Sequence, residues 1–180
     1  MDKNSQVTWP TVTPQHSWDE YQVVIDPVRL IESNLHDLGI TKYNIMPDGS
    51  VCVYENISVN GIQGVLPVKF SNVYGTVVMR NCSFTSLKNF PQWVAGTLQF
   101  NGCSLSSLDS DHIINAATIS FNKVNGQISL KNIHKCFSTS SITFFGVNVR
   151  SPILGLCLID NLAAITFSFN NLDFVKALRI

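Results

Sequence analysis

The side chains of this sequence that could do chemistry are few and scattered. Its four histidines (His16, His36, His112, His134) form no HxxxH pair and no Cys/His spacing suited to zinc. Glutamate occurs only three times, so a hydrolase working through paired carboxylates has few candidates. Asp109-Ser-Asp-His112 is the one polar knot, where two carboxylates and an imidazole could serve a metal or acid–base site. A solvated loop after the Leu105-Ser-Ser-Leu108 turn is the simpler account of it. No G-x-S-x-G, P-loop or G-x-G-x-x-G motif occurs. The expectation is a protein that is not an enzyme and carries neither metal nor cofactor.

Five cysteines (Cys52, Cys82, Cys103, Cys136, Cys157) are an odd number with no CxxC pair, and the N-terminus lacks the apolar stretch of a secretory signal. Free thiols in a reducing cytoplasm follow as the expectation. Only 13% of residues are charged against about a quarter in an average soluble domain, and 17 Asn and 19 Ser fill the gap. With 45% hydrophobic residues this excludes both disorder and a Glu/Lys-rich coiled coil. The longest apolar run, Ile153–Ile159, is far too short to span a bilayer, so no membrane contact is expected. Net charge is zero, with residues 1–60 acidic and residues 61–180 basic. The bases of the second part are singletons without interleaved aromatics, which argues against nucleic acid.

The work therefore falls to a surface, and the elements that build it are legible. Residues 1–24, with Trp9, Trp18, Tyr21 and two prolines but no period, read as an extended arm. Residues 25–46 read as an N-terminal capping helix and a strand. Asp26 caps, Pro27 opens the helix, Gly39 closes it, and Val28, Ile31, Leu35 and Leu38 form its apolar stripe. Pro47-Asp-Gly49 is a turn before a second strand at Val51–Tyr54.

Residues 47–180 read as a solenoid. Six segments align, starting at Ser50, Thr76, Thr97, Thr118, Ser141 and Ala164, at intervals of 20-odd residues. Each begins with a small residue and then alternates apolar, variable, apolar. The third apolar place is Asn56, Cys82, Cys103, Val124, Val147 and Asn170, and the fourth includes Phe84, Leu105, Val149 and Leu172. This period and pattern are those of leucine-rich repeats. The fold class is thus a β-rich (α+β) solenoid, an irregular leucine-rich-repeat-like stack of about six short-strand rungs. Alternation sends Val51/Val53, Val77/Met79, Leu98/Phe100, Ile119/Phe121, Ile142/Phe144 and Ile165/Phe167 inward, with Phe100, Phe121, Phe144 and Phe167 stacked as a spine. The Asn or Cys place is expected to bond to backbone of the next rung.

Three columns point outward. Ser50, Thr76, Thr97, Thr118, Ser141 and Ala164 form one, and Cys52, Val78, Gln99, Ser120, Thr143 and Thr166 the second. The third is Tyr54, Arg80, Asn101, Asn122, Phe145 and Ser168. Solenoids commonly bind through such extended faces, and Tyr and Arg are enriched at hot spots. The candidate binding residues are therefore Tyr54, Arg80, Gln99, Asn101, Asn122, Thr143 and Phe145.

Gly49-Ser-Val-Cys-Val, Leu66-Pro-Val-Lys-Phe-Ser-Asn-Val-Tyr-Gly75, Cys82-Ser-Phe-Thr-Ser-Leu87 and Phe90-Pro-Gln-Trp-Val-Ala-Gly96 form one series with Cys103-Ser-Leu-Ser-Ser-Leu108. Over residues 25–108 it resembles the small, irregular leucine-rich-repeat proteins encoded by large tailed bacteriophages. The resemblance implies a scaffold, generally of unassigned function, made in the cytoplasm of an infected bacterium. The repeats lead to the expectation that it binds a host protein, and that origin alone to the expectation that it inhibits one, for instance a defence enzyme. The resemblance brings no catalytic residues. The alternative is a self-associating assembly protein. Asn171–Ile180 ends the chain without a polar cap, so a second copy could cover the C-terminal rung as a homodimer.

Overall fold

The structure, a computed structural model, describes residues 26–125, 133–147 and 158–168. Helix α1 (Pro27–Asp37) forms where the caps placed it. The Asp26 carboxylate accepts a hydrogen bond from the Val28 N–H at 3.0 Å, and Pro27 stands in the first turn, where no intrahelical donor is needed. Leu35 is fully buried, with Ile31 and Leu38 packed beside it. Val28, expected on the same stripe, is 47% exposed because only the later turns of the helix lie over the core. Strands β1 (Tyr43–Ile45) and β2 (Val51–Val53) pair antiparallel across the Pro47-Asp-Gly49 turn, where Gly49 takes φ +75°.

The chain then winds as a β-solenoid of about five turns. Strands β3 (Ile57–Asn60), β5 (Phe70–Val73), β6 (Val77–Arg80), β8 (Trp93–Asn101), β10 (Ile114–Asn122), β11 (Phe137–Phe145) and β12 (Ala164–Ser168) join β1 and β2 in one sheet of nine strands. Every pairing in it other than β1 with β2 is parallel. A second, three-stranded sheet is built from β4 (Gln63–Gly64), β7 (Ser83–Phe84) and β9 (Ser104–Leu105), and it buries Phe84 and Leu105. A short helix, α2 (Ile133–Cys136), leads into β11.

For the last five aligned segments the pairing follows the expected register residue for residue. Val77 lies beside Leu98, Leu98 beside Ile119, Ile119 beside Ile142, and Ile142 beside Ile165. Phe100, Phe121, Phe144 and Phe167 stack with ring centroids 5.2, 5.1 and 5.3 Å apart and planes within 13° of parallel. Such contacts add about 0.5–1.5 kcal/mol per pair to the burial itself. Ile165, in the last strand, is 38% exposed, whereas Ile142 and Ile119 are fully buried.

The first segment is displaced. The partner of Val77 is Ile57, not Val51, and the interval is therefore 20 residues rather than 26. Val51 instead faces Phe70, and Val53 faces Val73. Each of the first two rungs is split into two short strands, β2 with β3 and β5 with β6, which merge in β8, β10 and β11 into single strands of nine residues. The rungs are accordingly longer than the short strands expected. At the split the backbones come together: a Cβ on Gly75 would lie 2.6 Å from the Glu55 carbonyl oxygen. The displacement places Ser50 and Cys52 inside rather than in the outward columns, since each is about 95% buried. It also leaves Asn56 exposed, where its Oδ1 accepts from the Thr76 N–H of the next rung at 2.8 Å as expected of this place, and Ile62 takes the inward place equivalent to Cys82.

The rungs ending in β3, β6, β8, β10 and β11 each leave the large sheet through one residue in the left-handed region: Gly61, Asn81, Gly102, Lys123 and Gly146, with φ between 50° and 76°. The N–H at each corner donates to the following rung, as from Asn81 to the Asn101 carbonyl at 2.9 Å. Two residues later the N–H donates backward, as from Ser104 to the Cys82 carbonyl at 2.8 Å. The corners at Asn81, Gly102 and Lys123 thus tie their rungs to both neighbours. A side chain costs about 1–2 kcal/mol in this conformation, and glycine avoids that cost. Residues 1–24 and 169–180, including Asn170, Leu172 and the uncapped end, and Val149 lie outside the described residues.

Two substitutions test this account by chemical denaturation. Phe121→Ala, in the middle of the stack, is expected to lose about 3–5 kcal/mol. Lys123→Gly is expected to gain up to about 1 kcal/mol by relieving the one corner that holds a long side chain. A loss on the second substitution would contradict the corner argument.

Candidate binding face

The outward side chains of the large sheet form in-register rows. Arg80 faces Asn101, Asn101 faces Asn122, Asn122 faces Phe145, and Phe145 faces Ser168. Val78, Gln99, Ser120, Thr143 and Thr166 make the neighbouring row. Arg80 and Phe145 are exposed, Phe145 by 48%, while Asn101, Asn122, Gln99 and Thr143 are half-buried between them. The Oδ1 atoms of Asn101 and Asn122 are buried and without a hydrogen-bond partner, so the two amides sit tightly between strands. Six of the seven residues expected from sequence are thus brought together.

Tyr54 is the exception. The place beside Arg80 belongs to Asn60, and Tyr54 lies near the opposite end of the strands. There it stacks on Tyr74, with centroids 5.3 Å apart and planes 5° from parallel. Tyr74 in turn meets Trp93 at 5.2 Å and 65°. These three rings are 48%, 51% and 40% exposed. Trp93 opens and Asn101 closes the same strand, β8, and a register shift against β10 between Val94 and Thr97 separates the aromatic row from the Arg80 row.

The start of the aromatic row is clamped. The N–H groups of Thr41 and Lys42 both donate to Oε1 of Glu55, the residue after Tyr54, and Asn44 Nδ2 donates to the Tyr54 hydroxyl at 3.2 Å. These donors, led by the Thr41 N–H, hold the Glu55 carboxyl below its ordinary range. Asp48, in the preceding turn, is held well below it by the Ser50 hydroxyl and by Lys69 at 3.0 Å. Among the strands of the large sheet Arg80 is the single charged residue.

The Asp109–His112 segment forms an ordinary loop. The N–H of Asp109 donates to Ser107 Oγ at 3.0 Å, its carbonyl accepts from Leu87, and both carboxylate residues are exposed. Nε2 of His112 is buried without a partner, yet among the described residues no three metal-ligating side chains gather. Cys52, Cys82 and Cys103 are free thiols, as expected. Cys82 and Cys103 do not bond to the next rung. They donate to carbonyls of their own and preceding rungs, Arg80 at 3.2 Å for Cys82 and Met79 at 3.4 Å for Cys103, because their side chains point back under the strand just left. Burial pushes the Cys103 thiol up to about 11. Cys136, whose thiol donates to the Leu108 carbonyl, is pushed up to about 11 by burial, with Asp109 adding to it.

Set against protein-family models, curated proteins and solved structures, the chain has no significant match. No helix among the described residues is long and apolar enough to cross a membrane.

Two outcomes are expected. Alkylation at pH 8, read by peptide mass spectrometry, leaves Cys103 and Cys136 unmodified in the native protein and labels both in denaturant. Glu55→Gln lowers Tm at neutral pH. Because the folded pKa of Glu55 is depressed, its stabilisation is complete above about 4.3 and is lost as pH falls through the folded value. The Tm gap between wild type and variant therefore closes on acidification, and a gap that widened would refute the clamp.

Proposed function

We propose that the protein is a non-enzymatic binding module that engages a protein partner through the outer face of its large sheet. The observation that carries this reading is the in-register row Arg80–Asn101–Asn122–Phe145, flanked by Gln99 and Thr143. It sets an exposed guanidinium and an exposed phenyl ring on a rigid face otherwise depleted of charge, the composition typical of the centre of a protein interface. We read the solenoid as leucine-rich-repeat-like, with α1 as its N-terminal cap. The bacteriophage resemblance over residues 25–108 supports a bacterial host protein as the partner, met in the host cytoplasm, and inhibition of that protein as the consequence.

A second reading, self-association, has one observation in its favour. Strand β12 pairs only with β11 among the described residues, and its Ile165 is exposed where the rung before it is closed. An uncharged strand edge that is unpaired among the described residues is a template for a second copy.

The test is capture from bacterial lysate by tagged wild type beside an Arg80→Glu/Phe145→Glu variant that still melts cooperatively, followed by titration with the purified partner. Binding by wild type that weakens at least a hundredfold in the variant is the expected result. Equal binding by both would move the contact off this row. A concentration-dependent mass in light scattering, with nothing captured, would favour self-association.

A further inference from the structure

The aromatic row lies at the other end of β8 from the row of Arg80 and outside the protein contact proposed above. We propose that Tyr54, Tyr74 and Trp93 form a platform for a neutral polysaccharide chain lying along the solenoid axis. Three rings of this size, each 40–51% exposed, are held in contact with one another rather than in the core. Successive rungs supply one ring each, spaced 5.3 and 5.2 Å apart, so the surface repeats along the axis and fits a ligand that repeats along its own length. Tyr54 and Tyr74 use a face on each other and offer edges and hydroxyls. Trp93 is turned 65° from Tyr74 and stands outside that parallel stack.

The neighbours of the rings are amides. Asn72 and Asn115 flank Trp93 directly in register, one on each side. Asn115 Nδ2 donates to the backbone carbonyls of Gln92 and Ile113 at 3.2 and 3.3 Å, which fixes the side chain and leaves its Oδ1 as an acceptor. Sugar rings present apolar C–H faces, which aromatic rings contact, and hydroxyls, which amides and phenols bond in both directions. Charge decides against the polyanion: the strands of this sheet hold one charged residue, Arg80, which stands at the other end, and phosphate backbones are bound by many. Beside Tyr54 stand one acid, Glu55, and one base, Lys42, whose charges cancel, so a neutral chain meets a surface without net charge.

The test is native affinity electrophoresis in gels containing hydroxyethylcellulose, dextran or soluble starch, each compared with a gel lacking polysaccharide. Wild type is expected to be retarded in at least one. Trp93→Ala and Tyr74→Ala, both at exposed rings and checked for cooperative melting, are expected to weaken that retardation tenfold or more, with Trp93→Phe intermediate. If Trp93→Ala does not fold, Tyr74→Ala and Trp93→Phe decide alone. Arg80→Glu/Phe145→Glu is expected to retain wild-type retardation, which separates this site from the protein-binding row. No retardation in any gel overturns the proposal, as does retardation that the ring substitutions leave unchanged. Loss of a purified protein partner in the ring variants, with no polysaccharide retained, would make the row a protein hot spot instead.

Discussion

Each rung buries its apolar side chains chiefly against the rung before it and the rung after it, so registration between neighbours is the constraint on which everything else depends. A slip of one residue would turn Phe121 outward and Ser120 inward and break the ring stack on both sides. Two devices prevent the slip. The phenylalanines meet only in one register, and the left-handed corners at Asn81, Gly102 and Lys123 hook their rungs forward through one N–H and backward through another two residues on. The binding face follows from these, because a surface row is straight only while the core column beneath it is.

How far this was legible in the sequence depended on the length of the strand. From Thr97, Thr118, Ser141 and Ala164 onward in each rung, alternation places each residue and the structure follows it. Where rungs are split, the same alternation starts twice, and the stretch from Val51 to Asn60 offers two candidate registers. The first of these gives an interval of 26 residues among others of 21 to 23, and the structure adopts the second. Tyr54 was displaced with it.

Trp93 escaped notice for a related reason. The aligned segments began at the small residues Thr97 and Thr118, whereas the strands begin four residues earlier at Trp93 and Ile114. A usable signal was present: the Val-Tyr pairs at 53–54 and 73–74 recur at an interval of 20, the same as Ile57 to Val77. The turn chemistry around Asp48 and the cap at Asp26 were readable because they need no partner distant in sequence. The Glu55 clamp on Thr41 and Lys42 was not, since a carboxylate accepting backbone N–H groups leaves no periodic mark.

The near absence of charge from the sheet also governs how fast anything can arrive there. Charged faces gather their ligands by long-range attraction and lose that advantage in salt. This face has one guanidinium and otherwise hydroxyls, amides and rings. Encounter is therefore left to diffusion and orientation, on the order of 10⁵–10⁶ M⁻¹s⁻¹ for a protein, and is nearly indifferent to ionic strength. Selectivity among ligands then resides in how long each one stays, and the rigid registration of the rungs sets that residence time.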